Sequence, residues 1–260
     1  LPQDLWVSRV QFSKHNANRI YATLNGYRWD DFKPYVYVSD DLGASWKNIS
    51  NNLPYAAVNV IREDTNNKKL LYVGTDNGLF VSIDQGENWH IFNNNLPRVA
   101  VHDLFIQEAV NHLLIGTHGR SIYVLALDVL QQLPEILDTS FALLPPKTQK
   151  HNKRWGSKNR EWSDAYAPNF HWTFFSQEPT SGVWSLVSDT GVVVVEQAES
   201  LAKGLQQLPY NLVMEAAALK QYNRKHKTDL KPADDGNVYL PKGTYRFLWN
   251  NKQYSELVLE

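Results

Sequence analysis

The sequence predicts an all-β chain: a partial β-propeller of two full blades and a closing blade, followed by a β-sandwich-like domain with one inserted helix. Three observations carry that expectation. An eight-residue motif recurs in phase, a unit of four short strands recurs with it, and the character of the text changes near residue 127.

The motif is Ser-x-Asp-x-Gly-x-x-Trp, known as an Asp-box. It occurs at Ser39, Asp41, Gly43 and Trp46 and again at Ser82, Asp84, Gly86 and Trp89, 43 residues later. The same offset carries Asn52-Leu53-Pro54 onto Asn95-Leu96-Pro97, so the whole unit repeats. Gly74-Thr75 then recurs as Gly116-Thr117. Between these markers every local signal is β. Residues 57–61, 70–74, 79–83 and 89–92 are short runs of β-branched and aromatic residues separated by Asn, Asp and Gly. A four-stranded unit of about 40–50 residues is what a propeller blade requires, and a blade buries both faces only when neighbours stack on it.

The motif suits the turn between the third and fourth strands. Its Gly adopts positive φ without steric cost, its Asp caps backbone N–H groups of the turn, and its Trp is expected to bury a large ring between blades. These eight residues are therefore read as structural. The third unit has strands at 101–106, 112–116 and 121–125 but neither motif nor fourth strand, which is the pattern of a closing blade. Three blades do not close a ring, so the remaining blades are expected from the same precursor or from a partner chain. The opening Leu1-Pro2-Gln3-Asp4, without an initiator Met, also reads as an excerpt of a longer precursor.

The expected domains are residues 1–126 as propeller blades, 127–168 as a linker and 169–260 as an immunoglobulin-like sandwich. Residues 128–133 read as a short helix. Within the linker, residues 147–160 hold six Lys or Arg and no acid, with Trp155 inside and Trp162 just after. Such a stretch suits a single-stranded nucleic acid or a glycan, or else a connector with solvated charges and packed Trp rings. Beyond it, strands are expected at 171–175, 183–187, 192–196, 211–214, 244–249 and 256–259, and a helix over 214–226 from its Ala, Leu, Lys and Gln content. Asn250-Asn251 marks a tight hairpin.

Composition narrows the function classes. The 26 Lys and Arg balance 27 Asp and Glu, so no overall field recruits nucleic acid or an anionic membrane. The absence of Cys excludes disulfides, thiolate zinc sites and a cysteine nucleophile. No apolar run approaches the roughly 18 residues that span a bilayer. The eight His show no close metal-ligand spacing, and neither a phosphate loop nor a Gly-x-Ser-x-Gly elbow occurs. No cofactor and no metal are expected.

With these residues in view, the chain resembles the large bacterial Asp-box (BNR-repeat) propeller proteins distantly similar to sortilin and to sialidase-type propellers. The resemblance rests on Val7-Ser8-Arg9-Val10, residues 25–28 and 30–35, both motifs, residues 116–125, and Leu240-Pro241-Lys242-Gly243-Thr244-Tyr245. It spans nearly the whole chain and implies the C-terminal end of such a protein, with a following immunoglobulin-like domain. It also implies a secreted, periplasmic or cell-surface location in a bacterium. Activity does not follow, because these motifs hold hairpins together in hydrolases and receptors alike.

If the motif is the turn between strands three and four, the turns between strands two and three lie on the opposite end of each blade. Residues 25–34, 75–78 and 117–120 furnish that end. Arg28, Trp29, Asp30 and Asp31 suit a sugar or a peptide terminus, with Trp as stacking platform and Arg as carboxylate fork. Equally, the loop packs Trp29 and Phe32 on a rim while its charges stay wet. His118 and Arg120 suit a base and an anion clamp, or else turn caps. No catalytic residue is assigned. The expected function is ligand binding or scaffolding; the alternative is a glycoside hydrolase completed by other blades, since hydrolysis usually needs two carboxylates about 5–9.5 Å apart.

Overall fold

The computed structural model describes residues 1–92 and 95–260, and the chain divides into two compact units, Leu1–Pro134 and Glu135–Glu260. Among its described residues the first unit holds three antiparallel sheets in sequence order. Sheet one is β1 (Trp6–Phe12), β2 (Ile20–Gly26), β3 (Asp31–Ser39) and β4 (Lys47–Asn48). Sheet two is β5 (Val58–Glu63), β6 (Leu71–Thr75), β7 (Gly78–Ser82) and β8 (His90–Phe92). Sheet three is β9 (Val101–Gln107), β10 (His112–Thr117) and β11 (Ile122–Ala126). Each sheet is a meander, because its strands are joined by short turns, most of them rich in Asn, Asp, Gly or Ser and the other two ending at Asp30 and Asn111 in the left-handed region.

The sheets stack face to face in a propeller-like arrangement. One cluster joins Tyr21, Val36 and Ile49 of the first sheet to Ile61, Val73 and Trp89 around the second. Another joins Val60, Tyr72 and Leu79 to Leu104, Leu113 and Ile115. The middle sheet is therefore buried on both faces, and β6 and β7 are buried at every residue. Gly74 is required by that approach, since a Cβ there would lie 2.6 Å from Val60 Cγ1 and 2.7 Å from Val101 Cγ1. The outer sheets have uncovered apolar faces, where Phe12 is 62% exposed on β1 and Ile122 67% on β11.

Both Ser-x-Asp-x-Gly-x-x-Trp segments form the turn between third and fourth strands. In the first, Gly43 N donates to Ser39 Oγ at 2.8 Å, Ser39 Oγ to Asp41 Oδ1 at 2.7 Å and Ser45 N to Asp41 Oδ1 at 2.8 Å. The second repeats this: Gly86 N to Ser82 Oγ at 2.8 Å, Ser82 Oγ to Asp84 Oδ1 at 2.7 Å, Asn88 N to Asp84 Oδ1 at 2.9 Å. Gly43 and Gly86 sit at φ +94° and +91°, where glycine alone is unstrained. The Trp residues differ. Trp89 is buried against the preceding sheet, whereas Trp46 is only half-buried and donates Nε1 to Gly43 O of its own turn. The expectation that both rings are buried between blades is thus corrected for Trp46, which has no preceding sheet to enter among the described residues.

The stretch expected to be a linker, 127–168, is folded. Leu127 is buried in the first unit, and a short 3-10 turn leads into helix α1 (Leu133–Ile136) at the division. In the second unit β12 (Phe141–Leu144) pairs with β13 (His171–Ser176), and Trp155 joins the core. Leu127, Leu143, Leu144 and Trp155 of this stretch are buried, while Lys150, Lys153, Arg154, Lys158 and Arg160 stay exposed. The rest of the unit is β14 (Thr180–Ser188), β15 (Val193–Leu201), β16 (Gly204–Pro209), β17 (Val213–Met214), α2 (Ala216–His226), β18 (Val238–Tyr239), β19 (Gly243–Trp249) and β20 (Lys252–Leu259). Its larger sheets run β12-β13-β16 and β15-β14-β19-β20, and Trp172, Trp184, Phe247 and Leu257 from both share one core. Helix α2 adds Ala218 and Tyr222, one turn apart on one face. At the β19–β20 turn Asn250 and Asn251 both take positive φ, as a two-residue hairpin demands.

Candidate binding cleft

At the end of the first unit opposite the two Asp-bearing turns lies a cleft of about 480 Å³. All three sheets line it, through the same two devices. The turns between second and third strands supply Tyr27, Arg28, Asp76 and His118. The start of each first strand supplies the other wall, because β1, β5 and β9 each contain a bulge there. The extra residues are Ser8, Asn59 and His102, and all three face the cleft. A bulge leaves one residue outside the ladder and re-aims its side chain.

The floor is a chain of amides. Asn25 Nδ2 donates to Asn59 Oδ1 at 3.1 Å, and Asn59 Nδ2 donates to Asp76 Oδ1 at 2.8 Å. Asn25 Oδ1 in turn accepts Tyr27 N at 2.8 Å, which fixes the turn that carries Arg28. On one wall the Arg28 guanidinium lies over the Trp6 ring, 4.2 Å from its centroid, and Trp29 meets Trp6 edge-on at 5.8 Å. On the other wall His102 and His118 stack with centroids 5.2 Å apart. A cation over an exposed indole is worth roughly 0.5–1 kcal/mol, which holds Arg28 in place while its N–H fork stays available.

Of the expected site residues, Arg28 and His118 line the cleft and Trp29 supports it through Trp6. Asp30 takes φ +54° and donates its N–H to Tyr27 O at 3.3 Å, capping its own turn. Asp31 accepts Tyr35 Oη at 2.6 Å and Lys33 N at 3.1 Å, and these bonds hold its carboxyl below the usual range. Arg120 is exposed and is not among the lining residues. Trp6, Asn59 and His102 were not anticipated, although Asn59 and His102 stand 43 residues apart, the offset of the repeat itself.

Two other polar clusters are structural. Asp64 is fully buried, yet Tyr72 Oη, Gln131 Nε2 and the Asn66 and Asn67 N–H groups all donate to it. In the second unit His226 Nε2 lies 3.2 Å from Ser188 Oγ and 3.5 Å from Asp189 Oδ1. A catalytic relay needs opposite ring nitrogens for the two partners, so this is a turn contact. No group of three or more potential metal ligands is found among the described residues, and none of their helices is long and apolar enough to cross a membrane.

No family model and no curated protein matches the chain. Among solved structures the chain is similar to a GH74 enzyme from Niastella koreensis, at 19% identity over 46% of this chain and 21% of that one, TM-score 0.37. It is similar to the GH74 xyloglucanase from Xanthomonas campestris, at 11% identity over 96% of this chain and 38% of that one, TM-score 0.37. It is also similar to the extracellular domain of a hybrid two-component system from B. thetaiotaomicron, at 11% identity over 97% and 32%, TM-score 0.38. The chain thus spans 21 to 38% of the length of these structures, and the activities in their names belong to those proteins.

Proposed function

We propose that the first unit is a run of Asp-box propeller blades whose cleft binds a glycan or peptide ligand, with no catalytic residues of its own, in a secreted or envelope protein. The observation that carries this reading is the composition of the cleft: aromatic and cationic walls, an amide floor, and Asp76 as the one carboxylate among its described lining residues, already engaged by Asn59. Hydrolysis of a glycoside usually needs a second carboxylate across the scissile bond. The Asp31 carboxylate accepts Tyr35 Oη and Lys33 N within its own loop, which supports binding over hydrolysis.

The uncovered apolar faces of the outer sheets support the further part of this reading, that additional blades from the same precursor or a partner chain pack there. At ~25 cal/mol per Å², an apolar face of several hundred Å² leaves roughly 10 kcal/mol unrealised when wet. The second unit's strand order, three strands β12-β13-β16 against four strands β15-β14-β19-β20, supports an immunoglobulin-like sandwich in the same protein.

The test is binding to panels of oligosaccharides and peptides, followed by turnover assays on sialosides and xyloglucan. The expected outcome is a ligand whose affinity falls about tenfold in Trp6→Ala, the loss of one stacking and cation-holding ring, without any turnover. Turnover that Asp76→Asn abolishes would replace binding with hydrolysis.

A further inference from the structure

The basic segment of the second unit is a fixed surface. Trp155 anchors it in the core, and Gly156 packs so closely that a Cβ would meet Ala233 Cβ at 2.4 Å. Its start is tied by Gln149 N to Val258 O at 2.9 Å, and its later part by Tyr166 N to Ser157 O at 3.0 Å. On this frame the Arg160 guanidinium lies over Trp162 at 5.2 Å and that of Arg154 over Tyr166 at 5.7 Å. Trp162 is 78% exposed, more than any other large apolar or aromatic side chain described. Lys150, Lys153, Arg154, Lys158 and Arg160 make no ion pair among the described residues. Lys242 joins them: burial, and then Lys242 and Lys153, oppose protonation of His151. Of the nearby acids, Asp235 is bound by Asn237 N and Tyr239 Oη, while Asp234 accepts Lys158 N; Glu161 and Asp164 stay in solvent.

We propose that this surface, Lys150 to Tyr166 with Lys242, binds an acidic polysaccharide, a chain of uronic acid residues, independently of the cleft in the first unit. Two aromatic rings, each braced by a guanidinium, offer platforms to the C–H faces of pyranose rings. The guanidinium forks and surrounding ammonium groups meet carboxylates that recur along such a chain. The whole chain carries a net charge of −1, so no long-range field gathers a polyuronate or a polyphosphate. Recognition must then rest on short-range stacking and paired carboxylates.

The experiment measures binding of the full 260-residue chain to oligogalacturonate, with neutral dextran oligomers and oligo-dT as the other arms. Oligogalacturonate binds, more weakly as salt rises, and dextran does not. Trp162→Ala and Arg160→Gln each lower affinity about tenfold with an unchanged unfolding transition, both side chains being exposed. Trp6→Ala in the first unit leaves it unchanged, which separates this surface from the cleft. Absence of oligogalacturonate binding, equal binding by a Trp162→Ala/Arg160→Gln double variant, or tighter binding of oligo-dT each overturns the proposal.

Discussion

The two Asp-bearing turns share a sequence pattern and nearly identical hydrogen bonds, yet they occupy different surroundings. Around the second, the segment after β4 acts as a clamp. Asn52 accepts Trp89 N at 2.8 Å and donates to Trp89 O at 2.9 Å, while Asn51 Nδ2 donates to Gly86 O and Glu87 O. The buried Trp89 Nε1 donates to Ile49 O at 2.8 Å. Around the first, Trp46 turns back on its own Gly43. The motif thus closes the turn by itself, whereas its contribution to sheet stacking depends on what the neighbouring sheet presents.

The largest expected difference between them comes from the rings. Trp89→Ala removes a buried indole and leaves Ile49 O without its donor, so a loss of about 3–5 kcal/mol is expected. Trp46→Ala costs about 1 kcal/mol or less, because the ring is half in water already. Urea unfolding of the two variants measures this gap, and equal losses would break the comparison.

A smaller contrast is expected at the glycines. Gly43→Ala and Gly86→Ala both place a Cβ at left-handed φ, a strain of about 1–2 kcal/mol. At Gly43 the nearest atom is Trp46 Cζ2 at 3.5 Å, whereas at Gly86 Ile49 Cδ1 lies at 2.9 Å and Ile49 Cβ at 3.2 Å. Gly86→Ala should therefore cost about 1–3 kcal/mol more through overpacking, measured in the same unfolding series.

The smallest effect sharpens what the turns share. Donation from Ser45 Oγ and N and from Ser39 Oγ holds the exposed Asp41 carboxyl down at about 2. Because its folded value lies below the unfolded one of ~3.9, the stability it contributes is present above about pH 4 and is lost as pH falls toward about 2. Titration of the Asp41 side-chain carbon by NMR should give a midpoint near 2, and Ser45→Ala should raise it toward the ordinary range. An unmoved midpoint would mean that the turn's bonds are not what lowers it.

Much of the fold was legible because its signals are local. The strands around Leu70–Ser82 alternate or run apolar between turn residues, Asn250-Asn251 fits only a tight hairpin, and Ala216–His226 has the composition of a helix. Strand β16 was not legible: Leu205-Gln206-Gln207-Leu208 has weak β content and is a strand because it pairs with Trp172–Phe175 of β13. In the segment 127–168, likewise, Leu143 and Trp155 find their partners at positions remote in sequence.

At the cleft, the order of strands and turns along the chain already settles which turns lie on one end of the sheets, because strand alternation fixes the direction of every connection. It did not determine which side chains converge there. Ser8, Asn59 and His102 face the cleft through bulges, and a bulge exists only in the register between two strands. Arg28 is fixed by Trp6, from a strand start with no local sign of such a role. Turn chemistry is written between neighbours in the chain; convergence of walls from three sheets depends on packing across the molecule, which tertiary structure alone decides.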